Sequence, residues 1–235
     1  MTPSGVSTRV SAAPGVGSPV ADTAAGWCLV VPVKRLEVAK SRLTGAAATH
    51  RADLALAFAA DTVGAALRTP AVAGVVAVTD DPAAAELLEL IGALVVTDEP
   101  DAGLNPALVH GAAVAARRHP GAGIGALSAD LPALRPAELE LALALAAGHG
   151  CAVVADARGD GTTVYLAARA AHFAPAFGSG SLRAHVSLGA RSLGGGLASL
   201  RRDVDTPADL AEAVRLGVGP HTAAVVARMA PTGSC

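Results

Sequence analysis

Short apolar runs alternate with longer stretches of helical spacing through most of this chain. "WCLVVPV" (27–33) is an unbroken β-branched run, the pattern of a strand covered on both faces. In 48–69, Leu54, Phe58, Val63 and Leu67 recur near the helical period and predict a helix. A second strand is expected at 72–81, running into acidic residues. "PAAAELLELIG" (82–92) opens on proline and closes on glycine, the two punctuation marks of a helix. A third strand (93–99), a helix (104–119) with basic residues in its last turn, a fourth strand (123–130) and a further helix (135–150) follow. Regular strand–helix alternation with continuous apolar strands implies a parallel sheet with helices on both faces.

The pattern then changes. "CAVVAD" (151–156) and "TTVYLAA" (162–168) read as strands joined by a five-residue "ARGDG" connection too short for a helix, so they should be antiparallel neighbours. A Gly/Ser stretch covers 177–196, and "LRRDVDTPADLAEAVRLG" (200–217) leads to a final short helix at 220–229. With no linker and no internal repeat, the expectation is one mixed, mostly parallel α/β domain over 27–229. Residues 1–26, rich in Ser, Pro, Gly and Ala, read as a disordered N-terminal tail, and 230–235 as a C-terminal tail.

Composition narrows the function classes. Aromatic residues are only 2% of the chain against 52% apolar overall, so the core must be built from Ala, Val and Leu. A net charge of −2 offers no bulk basic field for nucleic acid. No apolar run reaches the ~20 residues that cross a bilayer, and no secretory signal precedes the first strand. Cys28, Cys151 and Cys235 form no metal-binding pair and no even disulfide set, which suits a reduced, cytoplasmic protein. Cys28 and Cys151 are expected as small core residues.

In open α/β sheets ligands bind beyond the carboxyl ends of the strands, and four such loops carry notable residues. "VPVKRLEVAKSRL" (31–43) crowds Lys34, Arg35, Lys40 and Arg42 after the first strand. It is either a solvated basic loop or a cradle for polyphosphate oxygens. Neither GxxxxGK[ST] nor GxGxxG is present, which excludes a P-loop and disfavours a dinucleotide site. Asp130 in "LSADLPAL" (127–134) closes the fourth strand, where it either caps the next turn or holds Mg²⁺. Asp203 and Asp205 alternate in "RRDVDTPADL" (201–210) and face one side if that segment is extended. Asp205 or Thr206 is also a candidate N-cap for the following helix. "GDGTTV" (159–164) and "FGSGS" (177–181) are candidate anion nests, the first equally a hairpin turn.

Together, "VPVKRLEVAKSRL", "LNPAL", "SADLPAL", "GDGTTVYLAA", "FGSGS" with His185 just beyond, and "DVDTPADL" resemble one family, the guanylyltransferases of coenzyme F420 biosynthesis that act on 2-phospho-L-lactate or phosphoenolpyruvate (CofC/FbiD). The resemblance runs from about residue 27 to about residue 229. It implies a single-domain Rossmann-like, nucleotide-diphospho-sugar transferase (GT-A-like) fold and transfer of GMP from GTP to a phosphorylated three-carbon acid, releasing pyrophosphate. By position, Asp130 and Asp205 become the catalytic Mg²⁺-binding carboxylates, with Asp203 beside them. Thr162, Gly178 and Ser181 match the positions that bind phosphoenolpyruvate. Lys34, Lys40 and Arg42 fall where the nucleotide phosphates are expected. Ala129 stands where some members carry Gly. His110, His172 and His185 are expected on helix surfaces or loops, with His185 a candidate to reach the acceptor anion. The implied partners are small molecules only, without nucleic acid or membrane; a homodimer and hand-over of product to the next enzyme stay open.

The alternatives are a molybdenum-cofactor guanylyltransferase, a sugar-1-phosphate nucleotidyltransferase, a glycosyltransferase and a non-catalytic nucleotide-binding module. The first two usually show a Gly-rich "GG" after the first strand, where this chain has "PVKRLEVAKSRL". A glycosyltransferase commonly carries a mid-chain DxD, whereas "DVD" here lies near the end. The acceptor is left open among phosphoenolpyruvate, 2-phospholactate and 3-phosphoglycerate, and guanine rests on the resemblance alone.

Overall fold

The computed structural model describes residues 1, 26–34, 36 and 42–229. Both expected tails, apart from Met1 and Gly26, lie outside the described residues, as do Arg35 and Lys40.

Each strand of the first half emerges where an unbroken apolar run predicts it: β1 (Trp27–Pro32), β2 (Val72–Val78), β3 (Leu94–Val96) and β4 (Gly123–Leu127). β1 pairs in parallel with β2 on one side and β4 on the other, and β2 pairs in parallel with β3. β5 (Cys151–Ala155) and β6 (Thr162–Ala167) form the expected antiparallel hairpin. β6 enters the sheet between β4 and β5, antiparallel to both, and a short β7 (Arg191–Leu193) pairs in parallel with β5. The seven-stranded order is β3-β2-β1-β4-β6-β5-β7.

The helices are α1 (Arg51–Leu67), α2 (Pro82–Ile91), α3 (Leu104–Arg118), α4 (Pro136–Ala146), α5 (Ser181–Ser187), α6 (Pro207–Leu216) and α7 (Pro220–Met229). The two-residue alternation of β1 shows why its run is continuously apolar. Leu29 and Val31 join a core with Ala59, Val63 and Ala66 of α1. Cys28 and Val30 join another with Ala107, Leu108, Ala112 and Ala115 of α3. Small residues let helix and sheet approach closely: a Cβ on Gly111 of α3 would lie 2.5 Å from Val30 Cγ1 and 2.7 Å from Val78 Cγ2.

Three sequence expectations shift. The helix expected over 48–69 divides into a 3₁₀ turn (Gly45–His50) and α1. The Gly/Ser stretch at 177–196 contains α5 and β7, elements too short to show a period. Cys28 is fully buried, and burial pushes its thiol up to about 11, but Cys151 is only partly buried and accepts from the Tyr165 hydroxyl at 3.4 Å. Among the described residues, no helix is long and apolar enough to cross a membrane.

Candidate active site

β1 and β4 are neighbours in the sheet, yet the chain leaves β1 toward β2 on one side and reaches β4 on the other. Such a switch point opens a crevice at the strand ends, and a cleft of about 430 Å³ lies there. Its walls come from the end of β1 and the loop beyond (Pro32, Val33, Lys34, Arg42), the end of β4 (Ser128 to Asp130), Leu104 and Leu108 of α3, and Phe177; Asp205 closes it. Lys34 and Arg42 are exposed, and Leu36 N–H donates to Asp81 at 2.9 Å, tying this loop to the cap of α2.

Asp130 is held by its backbone neighbours. The fully buried Thr62 of α1 donates its hydroxyl to the Ala129 carbonyl (3.2 Å) and accepts from the Leu131 N–H (3.1 Å), straddling the aspartate. The next turn is braced by Leu134 N–H to Leu131 carbonyl (2.9 Å) and Gly219 N–H to Pro132 carbonyl (2.9 Å). From the far end of the chain, Val204 N–H donates to the Asp130 carbonyl at 3.1 Å. Val204 itself is buried with Leu54, Phe58 and Ala133. Of its two acidic neighbours in the chain, Asp205 lines the cleft, and Asp203 lies near enough to Asp130, Asp156 and Asp205 to feel their charges.

The capping ambiguity resolves against Asp205. Thr206 is the N-cap of α6, in a capping box with Asp209, and Pro207 is the first helical residue. Asp205 is instead 3.7 Å from Arg42, a partly exposed pair of small energetic value. Asp203 is pushed up to about 6, first by burial and then by the carboxylates of Asp130, Asp156 and Asp205. Burial is the larger cause, and the neighbouring carboxylates add to it, with Arg42 beside Asp205 as the cation of the group. Oxygen-only donors of this kind suit a hard divalent cation, which takes one or two carboxylates and otherwise water and phosphate.

Asp156 explains "GDG". Its Oδ1 accepts from Gly159 N–H (2.7 Å) and Asp160 N–H (3.0 Å), while Asp156 N–H donates to the Gly161 carbonyl (3.1 Å). The nest holds the protein's own carboxylate inside a hairpin turn, so the turn reading stands. Asp156 is a further acid near Asp203, and no motif or spacing in the chain singles it out. Thr162 follows at the start of β6 and is buried. Its Oγ1 lies 3.2 Å from His185 Nδ1. His185 is fully buried, not a surface or loop residue, and Ala176 N–H donates to its Nε2 at 2.9 Å. Gly178 has φ +148°, a conformation L side chains rarely adopt, and Ser181 opens α5, buried, its N–H donating to the Gly178 carbonyl at 3.2 Å. Leu182 N–H reaches the Asp160 carbonyl at 3.1 Å, joining α5 to the hairpin.

Asn105, in "LNPAL", has a role that its local sequence does not announce. Its amide donates to the Phe177 carbonyl (3.0 Å) and accepts from the Phe177 N–H (2.8 Å), fixing the loop that lines the cleft. A separate acidic group lies beyond β2 and β3: Asp80, Asp98 and Asp101, the one set among the described residues whose ligand atoms all fall within 4.8 Å of one another and could hold a metal ion. Burial, then Asp80 and Asp101, raise the Asp98 carboxyl, with His110 opposing.

Solved structures share the architecture. A nucleotidyl transferase from Methanothermobacter aligns with a TM-score of 0.56 at 20% identity, covering 81% of this chain and 97% of that one. A Mycobacterium tuberculosis protein crystallised as a complex with manganese aligns at 0.52 and 21% identity, covering 82% and 100%. Curated relatives are much closer in sequence. Phosphoenolpyruvate guanylyltransferase of Thermomonospora curvata is 61% identical over 204 residues, covering 86% of this chain and 90% of the relative. Its Streptosporangium roseum namesake is 53% identical over 210 residues, covering 89% and 94%. Residues 27–230 match the family described as "Guanylyl transferase CofC like", and the chain belongs to that guanylyltransferase family.

Proposed function

We propose that this chain transfers the guanylyl group of GTP to phosphoenolpyruvate, with release of pyrophosphate, in the cytoplasmic biosynthesis of coenzyme F420. The observation that carries the reading is the meeting of the Asp130 loop with the Asp203–Asp205 segment at the mouth of the β1/β4 cleft. The acceptor follows the relatives, several of which, from Streptomyces coelicolor among others, carry the name phosphoenolpyruvate guanylyltransferase. That match favours this reading over a molybdenum-cofactor guanylyltransferase or a non-catalytic module.

In this reaction a phosphate oxygen of the acid attacks the α-phosphorus of GTP. The bond from that phosphorus to the bridging oxygen breaks, and pyrophosphate leaves with the electron pair. The attacking phosphate is already an anion near neutral pH, so no general base is needed. The barrier is the approach of two polyanions, where each pair of unit charges at 4 Å repels by about 4 kcal/mol at an effective dielectric of 20. Positioning and charge neutralisation therefore supply most of the catalysis.

The chain's residues divide that work. Lys34 and Arg42, which line the cleft beyond β1, face the pyrophosphate end of the nucleotide. Asp130 and Asp205, which both line the cleft, would hold a divalent cation, with Asp203 as their neighbour; the fit rests on carboxylate oxygens at the cleft, with water and phosphate to complete the shell. Magnesium is the cation that matches these oxygen donors, and if bound there it would supply positive charge to offset that of the phosphates. Thr162, Gly178 and Ser181 form the acceptor side.

Pyrophosphate release measured with each nucleoside triphosphate paired with phosphoenolpyruvate, 2-phospholactate and 3-phosphoglycerate tests the reading. The fastest release is expected for GTP with phosphoenolpyruvate. Faster release with another acid overturns the acceptor, faster release with another triphosphate overturns the base, and no release with any pair overturns the reading altogether.

A further inference from the structure

His185 is the one fully buried histidine of the chain's described residues, and both its ring nitrogens are engaged. A neutral imidazole offers one donor and one acceptor. An amide N–H can only donate, and Ala176 N–H points at Nε2, so Nε2 is the bare nitrogen and Nδ1 carries the proton. That proton is shared between Thr162 Oγ1, 3.2 Å away, and the backbone carbonyl of Ser181. The Thr162 hydroxyl accepts from the ring, which leaves its own hydrogen as a donor for an anionic ligand.

The ring is also fixed by packing. Tyr165 of β6 stacks on it with centroids 4.6 Å apart and planes 16° from parallel. Phe177 meets it edge-on at 5.0 Å and 76°. Phe177 is in turn gripped on both sides of its peptide by Asn105. His185 also lies one helical turn after Ser181, on the same face of α5. A single imidazole thus touches or neighbours every element that carries Thr162, Gly178 and Ser181.

We propose that His185 is a positioning residue for the acceptor: one ring nitrogen orients the Thr162 hydroxyl while the other anchors the 176–178 loop, so that both meet the phosphorylated acid as one rigid wall. This rests on the reading of Thr162 and Gly178 as acceptor-side residues. It makes no contact between His185 and substrate; the ring is sealed behind Thr162 and Phe177.

The test is steady-state kinetics on His185→Phe, His185→Asn and Thr162→Val, varying the acid and GTP separately, with thermal midpoints alongside. His185→Phe should raise the KM for the acid about 10-fold while changing that for GTP little. His185→Asn, whose amide can still donate near the Nδ1 position, should recover part of that loss. In a Thr162→Val background the effect of His185→Phe should shrink, because both changes remove the same hydrogen bond. Equal rises for acid and GTP, no rise for the acid, or full additivity with Thr162→Val overturns the proposal. If His185→Phe does not fold, His185→Asn combined with Thr162→Val decides the same question: additive effects overturn the proposal, sub-additive effects support it. Wild-type protein inert toward every acid would instead sink the acceptor reading itself, a separate outcome.

Discussion

The Val204 amide donates to the Asp130 carbonyl at 3.1 Å, and this one bond joins the fourth strand to the segment just before α6. Val204 is buried in the core, and the acids on either side of it come near Asp130: Asp205 lines the same cleft, and Asp203 feels the Asp130 charge. Burial, and then the carboxylates of Asp130, Asp156 and Asp205, raise Asp203 to about 6.

Thr62 straddles Asp130 through Ala129 and Leu131. Thr62→Val keeps the shape but leaves a buried carbonyl and a buried N–H without that partner, a cost of about 1–3 kcal/mol. For a domain this size each kcal/mol lowers the thermal midpoint by about 2–4 °C. Turnover should fall further than stability explains, and Thr62→Ser should restore both. A Thr62→Val protein with wild-type turnover would show that Asp130 needs no such clamp.

Asn105 holds the Phe177 peptide from both sides. Asn105→Asp keeps the acceptor for Phe177 N–H but loses the donor to its carbonyl, while Asn105→Ala loses both. Activity is expected to decline in the order wild type, Asn105→Asp, Asn105→Ala, with the alanine variant about 10-fold or more below wild type. Equal activity in all three would remove the loop from the account.

Burial holds the His185 imidazole below its ordinary value. In the unfolded chain it protonates near about pH 6.5. Below that pH the unfolded state binds the extra proton, so this group's contribution weakens folding as pH falls and is fully recovered above it. Tyr165, stacked on the ring, stays neutral throughout because burial raises its phenol. Denaturant titrations should therefore show the stability gap between wild type and His185→Phe narrowing as pH drops below about 6.5. A gap independent of pH would mean that the ring protonates equally in both states.

Gly111 lies where α3 presses on β1 and β2. Gly111→Ala places a methyl against Val30 and Val78, an overpacking cost of about 1–3 kcal/mol. The thermal midpoint should drop while KM for both substrates holds. An unchanged midpoint would show that α3 can shift freely.

Most of the fold was legible because its strands are buried on both faces, which writes each as an unbroken apolar run such as "WCLVVP". The antiparallel hairpin was legible from a connection too short for a helix. What escaped was short or non-local. α5 has seven residues and β7 three, fewer than a period needs. At the site, Asp130, Asp203 and Asp205 stood out as acids at strand ends. Thr62 and Asn105 did not, because their work is hydrogen bonding to distant backbone, and nothing local distinguishes a threonine in "AADTVGA" that clamps a loop from one that merely packs. His185 looked like a loop residue because α5 itself was invisible.

The most direct test of the central claim is turnover of GTP and phosphoenolpyruvate by Asp130→Asn and Asp205→Asn, measured as pyrophosphate release on proteins whose circular dichroism and thermal midpoints match wild type. Asparagine keeps the shape and removes the charge, so both variants should lose about 10²-fold or more in kcat. Near wild-type turnover by either folded variant would contradict the account, because the acid it lacks could not then be holding the charge that lets two polyanions react.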